Sequence, residues 1–547
     1  MKRVFGPVAL GLALWAPALA QPLMPKSDEK APLSAPVQPA IPLPDELGQV
    51  DGNADKKAQT RRVERFVVQG NTILKEEELR GLLKLYEGKE LTLAQMREAA
   101  ADLTSLYQRK GYYLVRAIVP VQDFKSPEVK LTVVEGKIGQ IRVEGAEHYD
   151  PDFIKRRFQV SGEDGNFRAD KFTRSLILMN ELPDLDVKAV FAPGREVGTA
   201  DVILKTRDRT PVHFGVDYNN YGTPETGVNR VGLDFDAGNL LFQADQLQLR
   251  GVVGFPSRNN NFFQVQYGTP INLQGTTLNA SYANGAFAVS QGLGAILDVR
   301  GNADIFTLTL SHPMERDLDF TSNLGLAVSH KNITNNFFGG RFPFSHDEYT
   351  MTRLSYMADW RGPSGRSILQ ASWSQGFGGT PETDPLVSRA GANGRFSRFN
   401  LDGARIHRLS EGLYGVVRGS VQYATSPLYV GEQFALGGPD TVRGYQQAEL
   451  LGDNAYLVGA ELRWSPIPEA LDAFQLAFFV DHGGVSLNRK LPGDLSRGSS
   501  LTGAGLGLRW SPFDQTNIRL DVGFPISPTE SRSGNTPALY LGVQTRY

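Results

Sequence analysis

From Thr210 to Tyr547, a span of 338 residues, apolar and polar residues alternate in stretches of about 8–13 separated by turns. In Asn517-Ile518-Arg519-Leu520-Asp521-Val522-Gly523-Phe524 the Ile, Leu, Val and Phe side chains take one face, and Asn, Arg, Asp and Gly the other. Arg230–Phe235 and Gln246–Arg250 behave alike. At the C-terminus Leu539, Leu541, Val543, Thr545 and Tyr547 share a face opposite Gln544 and Arg546. A period of two is the period of a strand. After the N-terminus no segment offers the ~18 consecutive apolar residues of a membrane helix. A soluble sandwich also alternates, but one apolar face sustained over 338 residues is too much for a single sandwich. It fits a closed barrel with lipid outside and water inside. Sixteen strands are expected, centred near Phe214, Leu233, Leu249, Val265, Leu278, Leu308, Leu326, Leu354, Leu369, Asn400, Val417, Val458, Leu476, Leu506, Leu520 and Leu541. An even number suits a bacterial single-chain barrel, and sixteen strands leave an aqueous lumen unless something fills it.

Composition agrees. Glycine supplies 58 of 547 residues and aromatics 10%, yet the mean hydropathy is only −0.27. A lipid-facing belt diluted by a wet interior gives that combination. A formal charge of −2 argues against a nucleic-acid partner held by bulk electrostatics. The absence of cysteine excludes disulfides, thiolate metal sites and cysteine nucleophiles. It also suits a chain that crosses an oxidising periplasm unfolded.

The N-terminus predicts export. Lys2 and Arg3 precede an apolar run from Val4 to Leu19, and Ala18-Leu19-Ala20 fits a cleavage site before Gln21. Residues 1–20 are therefore expected to be a signal peptide, and 21–60 a Pro-rich periplasmic linker. Two mixed α/β modules are expected next, at 61–137 and 138–209. The first reads as a strand at Arg65–Gln69, a helix at Lys75–Leu83, a longer helix opened by a Thr92/Gln95 capping box, and strands at Tyr113–Val119 and Glu128–Val134. The second repeats that order: a strand at Ile138–Val143, helices at Pro151–Phe158 and Ala169–Asn180, then strands at Leu185–Phe191 and Thr199–Lys205. Recurrence of Val-Glu-Gly at 134–136 and 143–145 suggests a diverged repeat.

The long loop at 425–453 contains Phe434-Ala435-Leu436-Gly437-Gly438-Pro439-Asp440-Thr441-Val442-Arg443-Gly444-Tyr445. This pattern resembles the sixth-loop motif of the POTRA-barrel superfamily of outer-membrane transporters and insertases. Phe479-Val480-Asp481-His482-Gly483-Gly484 resembles the strand motif that meets that loop. Phe66-Val67-Val68-Gln69-Gly70-Asn71-Thr72, Lys110-Gly111-Tyr112 and Val134-Glu135-Gly136 are similar to POTRA sequences of two-partner secretion transporters. The resemblance covers residues 63–547. It implies a mainly β fold, a 16-stranded antiparallel transmembrane β-barrel preceded by two α/β POTRA domains. It also implies export of a large β-helical exoprotein across the Gram-negative outer membrane without ATP.

Further expectations follow from the resemblance. Arg443, in a loop folded back into the lumen, needs a partner, and Asp481 is expected to pair with it and lock the loop. With Phe479 toward lipid, Asp481 is expected toward the lumen. Gly437, Gly438 and Gly444 are read as turn residues beside Val442 and Tyr445, and Gly483 as part of the strand motif. The POTRA surfaces expected to receive the unfolded substrate are the strand at Thr199–Lys205 and the helix at Thr92–Arg109. Tyr547 is expected to be an assembly signal read by the barrel-insertion machinery. Some family members plug the pore with an N-terminal helix; here the prolines before Pro44 oppose one, and only 45–58 could form a short plug.

No enzyme is expected. There is no Walker loop and no Gly-x-Ser-x-Gly elbow, and Gly503-Ala504-Gly505-Leu506-Gly507 sits in a strand pattern with no helix after it. His482 lacks a second histidine and is expected on the face opposite Asp481, so neither metal nor cofactor is expected. The expected partners are the exoprotein, outer-membrane lipid and the barrel-assembly machinery, with the chain a monomer. The alternatives are an insertase of other barrels, which commonly carries more POTRA modules, and a passive porin, which lacks them.

Overall fold

The computed structural model describes residues 60–123, 126–162, 165–196, 198–255, 260–467, 473–491, 494, 497–528 and 536–547. The expected signal peptide, the linker up to 59 and the possible plug at 45–58 lie outside them. The chain forms two compact units, the N-terminal modules and the C-terminal β region.

The first module runs β1 (Arg61–Val63), β2 (Arg65–Gln69), α1 (Glu76–Leu83), β3 (Lys89–Leu91), α2 (Leu93–Arg109), β4 (Val115–Ile118) and β5 (Glu128–Glu135). The capping box forms: Thr92 Oγ1 accepts from the Gln95 N–H, and the Gln95 side chain accepts from the Thr92 N–H at 2.9 Å. Helix α2 buries Met96, Ala99, Ala100, Leu103 and Tyr107 against a sheet whose Phe66, Val129, Leu131 and Val133 complete the core. The second module runs β6 (Lys137–Glu144), α3 (Pro151–Arg157), α4 (Ala169–Asn180), β7 (Leu185–Pro193) and β8 (Thr199–Asp208).

Both sheets are ordered alike, β2-β5-β4 and β6-β8-β7, with the last strand in the middle. It runs parallel to the first strand and antiparallel to the one before it. This corrects one expectation. Thr199–Lys205 lies within the central strand β8, whose backbone is paired on both sides, so it offers no free edge to a substrate.

The repeat is real in order, but the Val-Glu-Gly match is not between equivalent positions. Val134–Glu135 ends the central strand β5, whereas Val143–Glu144 ends the first strand β6. The true equivalents are Gly70 and Gly145, both just after a first strand and both at positive φ, +83° and +87°. A Cβ on either would lie 2.4 Å from a carbonyl oxygen of the central strand, Val133 or Thr206. Each site therefore demands glycine twice over, by conformation and by space. A carboxylate at the end of the central strand then ties down the following turn. Glu135 accepts from the Thr72 and Ile73 N–H groups, and Asp208 from those of Glu147, His148 and Tyr149. Burial raises the Asp208 pKa, but its three donors outweigh that and leave it below the ordinary carboxylate value.

The second unit is a closed antiparallel barrel of sixteen strands. Its first half comprises β9 (Val212–Asn219), β10 (Asn229–Gly238), β11 (Gln246–Phe255), β12 (Asn260–Pro270), β13 (Thr277–Ala288), β14 (Arg300–Arg316), β15 (Phe320–Phe337) and β16 (Phe342–Gly362), with α5 (Gly292–Ile296) between β13 and β14. The barrel continues with β17 (Gly365–Gly379), β18 (Ser397–Ser410) and β19 (Leu413–Ala424). Within the next loop a short hairpin, β20 (Phe434–Leu436) with β21 (Leu450–Gly452), forms its own two-stranded sheet, separate from the wall's hydrogen-bond ladder. The wall resumes with β22 (Asn454–Trp464), β23 (Phe474–Ser486), β24 (Gly498–Phe513), β25 (Thr516–Pro525) and β26 (Ala538–Arg546). Every one of the sixteen expected centres falls in its own wall strand.

Strand β26 pairs with β9 to close the ring. The Tyr547 N–H donates to the Phe214 oxygen at 2.8 Å and the Phe214 N–H to the Tyr547 oxygen at 3.0 Å, extending that seam to the last residue. Large apolar side chains such as Phe263, Phe306, Leu326, Trp373, Phe399, Val458 and Leu506 stay exposed on one face all round. A continuous apolar exterior of this kind is the lipid-facing surface of a membrane barrel.

Candidate functional site

The loop between β19 and β22 is built from residues that seek burial. Leu436, Val442 and Tyr445 are fully buried and pack with Ala455, Leu457, Val485 and Leu501, which come from β22, β23 and β24. Three buried residues without charge would not fix where the tip sits; Arg443 does. Arg443 is 2% exposed and meets inward-facing carboxylates from three wall strands at once. Its Nε donates to Asp481 Oδ2 at 2.6 Å and its Nη2 to Asp481 Oδ1 at 3.1 Å, a bidentate contact. Its Nη1 donates to Glu461 Oε2 at 2.7 Å and lies 3.8 Å from Asp521 Oδ2. The guanidinium carbon stands 3.3 Å from the centre of the Phe479 ring, in cation–π contact.

The same carboxylates have second holders. Asp481 also accepts from Arg418, Glu461 from Arg463 and Arg509, and Asp521 from Arg509 and Arg519. Arg418 donates as well to the main-chain oxygens of Asp440 and Thr441, and Arg519 to that of Pro439 at 2.7 Å. The tip is thus gripped by side chains of β19, β22, β23, β24 and β25. A charge buried this far would be costly alone; here Arg443 and each of the three carboxylates have at least two partners.

The expected residues fall as follows. Arg443 and Asp481 meet directly. Gly437, Gly438 and Gly444 have φ of +107°, +106° and +107°. The Tyr445 hydroxyl lies 2.7 Å from the Thr502 oxygen, and Tyr540 bridges the Gly444 N–H and the Tyr445 oxygen. A Cβ on Gly483 would come within 2.7 Å of Leu436 Cδ1, so that glycine leaves the seat for the loop's leucine. Phe479 corrects an expectation. It does not face lipid: residues two apart share a face of a strand, so Phe479 points inward with Asp481. It is 3% exposed, while its neighbours Phe478 and Val480 are 53% and 52% exposed on the outside. His482 lies on the outward side, between Thr502 and the Tyr456 hydroxyl.

Two features were not foreseen. Gly503, Gly505 and Gly507 form a bare strip on β24. A Cβ on Gly503 would lie 1.9 Å from the Arg443 oxygen, and one on Gly505 2.5 Å from Phe479 Cζ. Gly523 on β25 would meet the Gly444 nitrogen at 2.4 Å. The loop backbone is laid directly on the wall. The other feature is a second buried cluster. Glu432, in the limb entering the lumen, is 1% exposed. Its Oε1 accepts from Lys331 Nζ at 2.5 Å and from the Tyr349 hydroxyl at 2.7 Å, and its Oε2 lies 2.6 Å from Arg398 Nη1. No short motif marks Glu432; the one signal that could have led to it is its place in the same loop as Arg443.

Comparison with known proteins gives a consistent result. Residues 198–510 match the family described as haemolysin secretion/activation protein ShlB/FhaC/HecB, and residues 62–136 match the POTRA domain, ShlB-type. The chain is 22% identical over 460 residues to the heme/hemopexin transporter protein HuxB of Haemophilus influenzae, covering 82% of this chain and 80% of that protein. It is 24% identical over 475 residues to the outer membrane transporter CdiB of Dickeya dadantii, covering 84% and 81%. The solved structure of CdiB from Escherichia coli superposes with a TM-score of 0.71 at 20% identity, over 94% of each chain.

Proposed function

The chain belongs to the haemolysin secretion/activation protein family ShlB/FhaC/HecB, the two-partner secretion transporters of the outer membrane, and we propose that the seated loop is the element that governs its pore. The protein exports a partner protein through its barrel, with the POTRA region in the periplasm. The observation that carries the proposal is Arg443, held inside a closed barrel by Asp481, Glu461 and Asp521. A loop placed by so many groups is positioned for a purpose, and its position decides what the lumen can pass.

Both modules, 61–137 and 138–209, act as POTRA domains that receive the exoprotein unfolded. Their sheets end in β2 and β4, and in β6 and β7, so an extended segment can add at an edge by backbone hydrogen bonds. Val190 on β7 is exposed there. The exposed side of α2 flanks the first sheet. Folding of the exoprotein outside the cell biases the direction of transfer, since a folded product cannot return. The chain works as a monomer, needs no cofactor and catalyses no reaction; the relatives it matches are named transporters.

Deleting the gene and comparing secreted proteins by mass spectrometry tests the function. Loss of one large exoprotein is the expected result. Broad loss of outer-membrane barrels would identify an insertase instead. Tyr547, exposed at the closing seam, is proposed as the signal read by the barrel-assembly machinery. Deleting it is expected to lower the amount of folded barrel several-fold on heat-modifiability gels, and full yield would reject the role.

A further inference from the structure

The loop that Arg443 seats on one wall is fastened to another wall by Glu432. Lys331 comes from β15, Tyr349 from β16 and Arg398 from β18. None of these strands contributes to the grip on the tip, which uses β19 and β22–β25. Arg398 Nη1 also donates to the main-chain oxygen of Glu432 at 2.8 Å, and Gln422 Nε2 reaches the same oxygen at 3.3 Å. Beside it Leu428 and Tyr429 are fully buried, with the Tyr429 ring stacked 4.7 Å from Tyr349 and edge-on to Phe396. The loop is therefore held at two places, its limb on β15, β16 and β18 and its tip on β19 and β22–β25.

The anchors differ in kind. At the tip, main chain is laid on main chain, at Gly503 and Gly523, and charged groups of β19, β22, β23 and β25 touch it. At the limb, most wall contacts are made by side chains: Lys331, Tyr349 and Arg398 meet the Glu432 carboxylate, Arg398 and Gln422 its main-chain oxygen, and Tyr349 and Phe396 the Tyr429 ring. Lys331 and Arg398 are long and rotatable, and their attraction to Glu432 falls steeply once water reaches it. A polypeptide entering the lumen wets that site before it can dislodge a backbone seated on glycine.

We propose that Glu432, with Lys331, Arg398 and Tyr349, is a releasable second anchor of the loop: export requires this limb to leave the β15–β18 wall while Arg443 stays on its own. Glu432 acts here as a positioning residue. The proposal rests on the transporter reading, and one arm of its test needs no exoprotein.

The chain has no cysteine, so introduced thiols are unique. In the Lys331→Cys/Glu432→Cys variant, a short bis-maleimide with a reducible spacer joins the limb to β15 in intact outer membranes. Joined barrels are expected to lose export at least ten-fold, and to recover it when the spacer is reduced. Export by joined barrels at the rate of unjoined ones would overturn the proposal. In the second arm, purified Glu432→Gln protein is placed in a planar bilayer in KCl, after a heat-modifiability gel shows that its barrel is folded. Its open-channel conductance or opening frequency is expected to rise at least two-fold over the unaltered protein, and values equal to the unaltered protein would also overturn it. If the deletion experiment removes no exoprotein while the conductance rises, the anchor stands and the transporter reading fails.

Discussion

Arg443→Ala is expected to reach the outer membrane in normal amount, to run as a folded heat-modifiable barrel, and to export its partner at less than a tenth of the normal rate. The two halves of that outcome have separate physical causes. Removing one partner of a buried ion pair usually costs about 3–5 kcal/mol, because the other is left orphaned. Here the wall carboxylates are not orphaned. Asp481 keeps Arg418, Glu461 keeps Arg463 and Arg509, and Asp521 keeps Arg509 and Arg519. The barrel therefore tolerates the loss. The loop does not, because Arg443 is the buried side chain that ties it to all three carboxylates and stacks on Phe479, whereas the loop's other charged contact, Asp440 with Arg519, is half-exposed. Asp481→Ala is expected to act in the same direction and less strongly, since Glu461 still holds Nη1. Arg443→Lys keeps the charge but loses the planar fork, and is expected to fall between the two. Secretion measured beside barrel yield checks all three, and normal export by Arg443→Ala would remove the loop's proposed role.

The barrel was legible because its information is local. A period of two over a few residues fixes a strand and which residues share a face, as Leu520 and Val522 do, without knowledge of its neighbours; the extent of the apolar face then places lipid on that side. Arg443 and Asp481 were legible through the motifs that surround them. What surrounds that pair was not. Glu461 and Asp521 reach Arg443 only because β22, β23, β24 and β25 take one particular register, for example Gly459 opposite Asp481 and Gly507 opposite Asp521. Register is a long-range property that alternation leaves open. The reading of Phe479 failed for a different reason: Phe479 and Asp481 are two residues apart, and strand geometry already required them to share a face. Strand β8 escaped because a parallel crossover puts the last strand of each module in the middle, and local pattern does not report sheet order. Glu432 ends a three-residue 3-10 turn, Val430–Glu432, which is too short for a period to be read.

Gly503→Ala is expected to cut export nearly as far as Arg443→Ala, although it removes no charge and no hydrogen-bonding side chain. A single methyl there would sit 1.9 Å from the Arg443 carbonyl oxygen and 3.5 Å from Val442 Cγ1. The first of these is main chain, which cannot swing aside as a side chain can. The tip must lift by more than about 1 Å to restore van der Waals contact near 3.0 Å or beyond, and a bidentate pair made at 2.6 and 3.1 Å does not survive that displacement intact. Gly459→Ala is the matched comparison. Its Cβ would meet Asp481 Oδ1 at 2.6 Å and Arg418 Nε at 2.8 Å, which are the ends of side chains, so a smaller loss is expected. Gly251→Ala meets nothing within 4 Å among the described residues and should export normally. If all three variants fold and export alike, the loop is held by charge alone and its fit to the glycine strip is incidental. If Gly503→Ala fails while the others work, shape and charge act together: the glycines let the backbone reach the depth at which one arginine can touch carboxylates from three strands.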